Sequence, residues 1–126
     1  MASKKPVVAI VDDDEAVREG LADLIRSLGY AALVFAGGEE FWASSQRERV
    51  SLLISDVQMP GMSGLELYEK IAASKKPIPT IFITAYPKED ARQRAVEAGA
   101  ICYLKKPFAE QELRTCIQTA LSVRKT

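Results

Sequence analysis

The sequence predicts an α/β domain of five βα units on a parallel sheet. Three observations predict it. Five short apolar runs recur along the chain without strict alternation, as expected of strands covered on both faces. The segments between them repeat apolar residues at helical spacing. Glycine, proline and capping residues fall at the joints between the two kinds of segment.

The first run, Val7–Val11, is wholly apolar and ends at Asp12, Asp13 and Asp14. Val17, Leu21, Leu24, Ile25 and Leu28 then share one helical face, and Gly29 stands where a helix C-terminus wants glycine. The second run is Ala31–Phe35, followed by a short helix over Phe41–Arg47. The third is Leu52–Ser55. Ser63 caps the next helix with Glu66 three residues on, and Leu65, Tyr68, Ile71 and Ala72 form its apolar face. Pro77 and Pro79 mark the loop before the fourth run, Thr80–Ile83. An Ala-rich helix follows over Lys88–Ala98, with Pro87 placed to start it and Gly99 to end it. The fifth run is Ile101–Leu104, and Leu113, Ile117, Ala120 and Leu121 give the face of the last helix. Alternating strands and helices of this length imply right-handed crossovers.

The 126 residues suit one domain, 1–126, with no internal linker or repeat, and 48% hydrophobic residues suffice for a core. Lysine plus arginine and aspartate plus glutamate number 17 each, so no net charge draws this domain to nucleic acid or membrane. No apolar stretch is long enough to span a bilayer and no signal peptide is evident, so a soluble, cytoplasmic protein is expected. Cys102 and Cys116 are expected to be buried free thiols. There is no histidine, which removes histidine acid/base catalysis, His-dependent nucleophiles and His-ligated zinc. Chemistry must come from carboxylates, lysine, hydroxyls and a bound ion.

Polar residues collect at strand ends. Strand one ends in Asp12, Asp13 and Asp14, strand three in Ser55 and Asp56, strand four in Thr84, and strand five in Lys105 and Lys106. Strand two ends in Phe35, Ala36, Gly37 and Gly38, without a functional polar group. Open α/β sheets bind ligands outside the carboxyl ends of their strands, at a switch point in strand order. If strand two alone stands apart, it is an edge, and the order is 2-1-3-4-5, the flavodoxin-like (βα)5 arrangement with helices on both faces. Carboxylates gathered there would raise one another's pKa, and a hard divalent cation, Mg²⁺ or Mn²⁺, relieves the conflict. A cation with lysine and threonine suits phosphoryl transfer, with a carboxylate as nucleophile.

The motifs VDDDE at strand one, D-x-x-M-P-G-M-S-G over Asp56–Gly64, I-T-A over Ile83–Ala85 and Y-L-K-K-P-F over Tyr103–Phe108 together resemble a receiver domain of the two-component response regulators. Among these, the chain is similar to nitrogen-fixation regulators that carry a helix-turn-helix output domain. The resemblance implies that Asp56 accepts a phosphoryl group from a sensor histidine kinase or phosphotransfer protein. It implies that Asp13 ligates Mg²⁺, that Asp12 holds metal-bound water, and that the backbone carbonyl of Gln58 completes the set. Lys106 contacts the phosphoryl group, with Lys106–Pro107 a cis peptide that proline makes accessible. Thr84 is the switch hydroxyl and Tyr103 the aromatic that moves with it. Both act on the helix four–strand five–helix five face, where a second receiver or an output domain docks. The protein would be a signalling switch in transcription regulation rather than an enzyme, catalysing only its own phosphorylation and slow dephosphorylation. Gln58 and Tyr86, two residues past Asp56 and Thr84, would tune phosphoryl lifetime, Tyr86 by shielding. No complete output domain is expected within these residues: the chain is either a stand-alone receiver or the receiver of a longer regulator, and in the second case DNA binding is expected to belong to the other part.

Plainer readings exist for each residue. Asp12–Asp14 suit a helix N-cap cluster, Thr84 a turn, Lys106 the surface and Tyr103 simple packing. Two rival functions stand beside the switch. One is a haloacid-dehalogenase-like phosphatase with Asp12 as nucleophile, which leaves the Asp56 motif unexplained. The other is a flavin mononucleotide binder, whose phosphate the four acids of residues 12–15 would repel.

Overall fold

In a computed structural model, which describes residues 5–125, the chain forms β1 (Val7–Val11), α1 (Glu15–Ser27), β2 (Ala31–Phe35), α2 (Gly38–Ala43), β3 (Leu52–Asp56), α3 (Gly64–Ala72), β4 (Thr80–Thr84), α4 (Glu89–Glu97), β5 (Cys102–Lys105) and α5 (Glu110–Lys125). The sheet is parallel throughout, in the order β2-β1-β3-β4-β5. This is the order anticipated from the strand ends, with β2 at one edge.

Both faces of the sheet are covered, which is why its strands lack alternation. On one face Val8, Ile10, Leu52, Ile54, Ile81 and Ile83 pack against Leu21, Ala22 and Ile25 of α1 and Leu113, Ile117 and Ala120 of α5. On the other, Ala9, Val11 and Leu53 meet Phe41 of α2 and Leu67 and Ile71 of α3. Further along that face, Phe82 packs with Tyr68 and Ala95, and Tyr103 joins them. Burying each large side chain here contributes roughly 1.5–3 kcal/mol against the entropy of ordering it.

Local chemistry sets the helix ends. The Asp14 carboxylate accepts from the Val17 N–H at 3.2 Å and caps α1. Ser63 and Glu66 close a reciprocal capping box at α3, at 3.1 and 2.9 Å. Gly29, just past the C-cap Leu28, takes a left-handed φ of 96°.

Three expectations need correction. The helix anticipated over Phe41–Arg47 is two pieces: α2 begins at Gly38, and a 3-10 turn follows at Ser45–Arg49. Ser44 separates them because it adopts an extended backbone and its hydroxyl accepts from the Gln46 N–H at 3.0 Å. Pro87 precedes α4 rather than starting it, since Lys88 is the N-cap. Cys102 and Cys116 are joined in a disulfide, not free. Spacing along the chain could not show this; the packing of α5 on β5 sets their Cα atoms 6.1 Å apart, inside the roughly 4.4–6.8 Å that a bridge requires.

β5 is shifted by one residue, to Cys102–Lys105, and β3 and β4 each run one residue further than anticipated, to Asp56 and Thr84. Both side chains are therefore held by regular strand backbone at the carboxyl edge of the sheet.

Candidate functional site

The carboxyl edge gathers residues distant in sequence. Asp12, Asp13 and Asp56 each offer a carboxylate oxygen within 4.8 Å of the others. Asp12 follows β1 and is buried, its N–H donating to the Phe35 carbonyl at 3.2 Å. Asp13 is exposed on the open side of the group. Asp56 is nearly buried at the end of β3.

Lys106 arrives from the far side, just past β5. Its ammonium donates to Asp12 Oδ2 at 3.1 Å and to Asp56 Oδ2 at 3.2 Å. The preceding Lys105 is exposed. The Lys106–Pro107 peptide is cis, and the Lys106 N–H donates to the Thr84 carbonyl at 2.8 Å. β5 is thereby tied to the end of β4 where the ammonium enters the site.

Electrostatics follow from this packing. Burial raises the Asp56 carboxyl above its ordinary value, the Gln58 N–H and Lys106 pull it down, and Asp12 raises it further; the net direction is up. Burial alone would lower Lys106, but Asp12 and Asp56 hold its ammonium above the usual lysine value. One lysine faces three acids, so the group carries excess negative charge in a partly desolvated place. An all-oxygen donor set of this kind fits a hard divalent cation.

The remaining anticipated residues divide. Gln58 is next to Asp56, its N–H donating to Asp56 Oδ1 at 3.0 Å. Thr84 is buried, and its hydroxyl accepts from the Tyr86 N–H at 3.1 Å. The Tyr86 side chain is 71% exposed. Tyr103 is not among the acids. It packs inward on Phe82, ring centroids 6.4 Å apart, beside Ala91 and Ala95 of α4. Burial raises its phenol above the ordinary value, and the nearby Lys88 backbone pulls the other way.

Three further residues also shape the site, of which Arg18 had no place in the sequence reading. Arg18 Nη1 donates to the Asp12 carbonyl at 2.8 Å, and Ser55 Oγ to the Asp56 carbonyl at 2.9 Å, fixing both loops. Arg18 stands six residues past Asp12, at the end of the first turn of α1, from which its long side chain reaches back to the β1 end. At Gly64 a Cβ would overlap the Asp56 carbonyl oxygen, so only glycine lets α3 start against β3.

Comparison with known proteins decides among the functions this geometry could serve. Residues 8–118 match the model of the response regulator receiver domain. The chain belongs to that family. Response regulator protein TmoT of Ectopseudomonas mendocina is 39% identical over 123 residues, 98% of this chain and 56% of TmoT. Transcriptional regulatory protein FixJ of Rhizobium meliloti is 35% identical over 113 residues, 90% of this chain and 55% of FixJ. The structure of response regulator StyR superposes with a TM-score of 0.88 at 43% identity, covering 96% of this chain and 61% of StyR. The chain thus spans little more than half the length of these relatives. The similarity to FixJ agrees with the resemblance to nitrogen-fixation regulators.

Within this receiver domain the phosphatase reading, with Asp12 as nucleophile, does not hold. Asp12 is buried, paired with Lys106, and accepts the Asp14 N–H at 2.9 Å through Oδ1. The D-x-x-M-P motif that the phosphatase left unexplained lies within residues 8–118, which match the receiver domain. The flavin reading falls with it. Among the described residues no helix is long and apolar enough to cross a membrane.

Proposed function

We propose that this receiver domain takes a phosphoryl group onto Asp56 from a sensor histidine kinase or phosphotransfer protein and switches conformation as a result. The observation that carries the reading is the meeting of Asp56, Asp12, Asp13 and Lys106 at one sheet edge. The P–N bond of the donor phosphohistidine breaks, an O–P bond to the Asp56 carboxylate forms, and the departing imidazole takes a proton. Asp13 and Asp56 would hold Mg²⁺, or Mn²⁺, directly, with Asp12 acting through water and the Gln58 carbonyl completing the protein donors. The ion, when bound, neutralises phosphoryl oxygens as charge shifts in transfer. Lys106 leaves its pairing with Asp56 for a phosphoryl oxygen. The Thr84 hydroxyl gives up the Tyr86 N–H and donates to another.

Tyr103 supplies the other half of the switch. Its ring packs on Phe82 beside α4, and this is one of two positions between which phosphorylation shifts the balance. The α4–β5–α5 face then presents a changed surface to an output domain or a second copy. The domain works in the cytoplasm, acts as a switch rather than an enzyme on other substrates, and leaves DNA contact to another domain. Gln58 and Tyr86 tune phosphoryl lifetime.

Incubation with acetyl phosphate and Mg²⁺, followed by intact mass, tests the reading. Wild type should gain one phosphoryl group and Asp56→Asn none. A gain retained in Asp56→Asn, or lost only in Asp12→Asn, would overturn it.

A further inference from the structure

The disulfide lies on the opposite side of β5 from Tyr103. Cys102 pairs in register with Ile81, as Leu104 does with Ile83, and packs on the α1/α5 cluster with Cys116 of α5. The bond spans 14 residues, and the covalent ring it closes contains Tyr103, Lys106 and Pro107. One bond therefore encloses the lysine that reaches the acids and the aromatic that faces α4.

That bond is not all that holds α5 in place. Leu113, Ile117 and Ala120, all fully buried, already anchor α5 to the sheet. A core of this size needs no staple, unlike that of a small secreted domain. In the reducing compartment proposed above, a disulfide in such a protein is transient and redox-sensing rather than structural. Access is uneven in a way that suits stepwise exchange: Cys102 is part-exposed while Cys116 is buried. Reagent meets Cys102 first, and Cys116 resolves the adduct.

We propose that Cys102 and Cys116 form a reversible dithiol–disulfide site, modified by low-molecular-weight disulfides, whose state sets how far phosphorylation can move β5 and α5. The Cys102 thiolate attacks a glutathione disulfide sulfur and releases one glutathione thiolate. The Cys116 thiolate attacks the resulting mixed disulfide at Cys102 and releases the second. The two protein thiols are oxidised to the bridge, the glutathione disulfide is reduced to two glutathiones, and the two thiol protons pass to the released thiolates. With the ring closed, the segment from Cys102 to Cys116 has fewer conformations available, and both Tyr103 and Lys106 lose freedom to rearrange. The coupling rests on the phosphoacceptor reading; the redox site itself does not.

The experiment has two arms on the same protein. In the first, wild type is equilibrated in glutathione buffers from fully reduced to fully oxidised, free thiols are alkylated, and intact mass counts them. A reversible transition with circular dichroism unchanged is expected. Failure to bridge in any buffer, or bridging only with loss of the native spectrum, would overturn the site. In the second, hydrogen exchange of residues 102–121 is followed with and without acetyl phosphate and Mg²⁺, for the oxidised protein, the reduced protein and the Cys102→Ala/Cys116→Ala variant. Phosphorylation should change exchange there about tenfold or more in the reduced protein and the variant, and by much less in the oxidised protein. Equal changes in both redox states would overturn the coupling. If mass shows no phosphoryl gain in either state, the phosphoacceptor reading falls and the coupling with it, while the first arm still decides the redox site.

Discussion

Lys106 and Asp12 stand 94 residues apart in the chain and 3.1 Å apart in space, and the same ammonium reaches Asp56 at 3.2 Å. The lysine is 19% exposed and Asp12 1%, so this pairing is largely shielded from water. Removing the cation leaves acids that the fold cannot solvate. Lys106→Met should cost about 1–3 kcal/mol in urea unfolding without divalent ions, and millimolar Mg²⁺ should restore much of the loss. Unchanged stability would mean that Lys106 does not neutralise the acid group.

Mg²⁺ itself should stabilise the wild type. At about one hundred times its dissociation constant the gain is about 2.7 kcal/mol, read as a shift of the urea midpoint. Asp13 is exposed, so Asp13→Ala should change the metal-free protein by no more than about 0.5 kcal/mol yet abolish most of the Mg²⁺ gain. Equal gains in both proteins would remove Asp13 from the metal site.

The raised Asp56 pKa makes a signed prediction. The folded state holds this proton at pH values where the unfolded chain, at an ordinary carboxyl value near 3.8, has lost it. The stability it contributes is complete below 3.8 and is lost as pH rises through the folded pKa. Metal-free Asp56→Asn should therefore show a shallower decline of stability with pH across that window and a higher midpoint at neutral pH. The Lys106 shift is also upward, from 10.5, so its contribution is present below that value and lost as pH rises through the folded pKa above it. Lys106→Met should flatten that alkaline limb.

Gly64 should tolerate no side chain. In Gly64→Ala the methyl group meets the backbone carbonyl of Asp56, which cannot move without shifting the carboxylate. A loss of about 1–3 kcal/mol is expected, together with slower phosphorylation by acetyl phosphate. A loss under about 0.5 kcal/mol would show that α3 can retreat from β3.

Tyr86 offers a test of phosphoryl lifetime. Its ring is 71% exposed while its N–H is fixed to Thr84, so the side chain is free to lie over the site mouth or away from it. Phosphorylated Tyr86→Ala should decay several-fold faster than wild type, with stability within about 0.5 kcal/mol. Equal or slower decay would dismiss the shielding role.

Five apolar runs, their helical intervals and the polar residues at strand ends were enough to settle fold class, strand order and the residues worth examining. Those features are local: a strand buried on both faces must be apolar throughout, and Asp14 or Ser63 caps the helix that follows it. The site's wiring was not local. The motif already singled out Lys106, before Pro107, but that its ammonium bridges Asp12 and Asp56, that Arg18 holds the Asp12 carbonyl, and that Gly64 makes room for Asp56 all depend on how one element lies against another. Tyr103, which the motifs place beside Thr84, shares that residue's face of the sheet but stands one strand over, opposite Phe82, and so packs toward α4 rather than among the acids. The cysteines show the same division. Composition made them look like two separate buried thiols, and only the seating of α5 on β5 brought their sulfurs together.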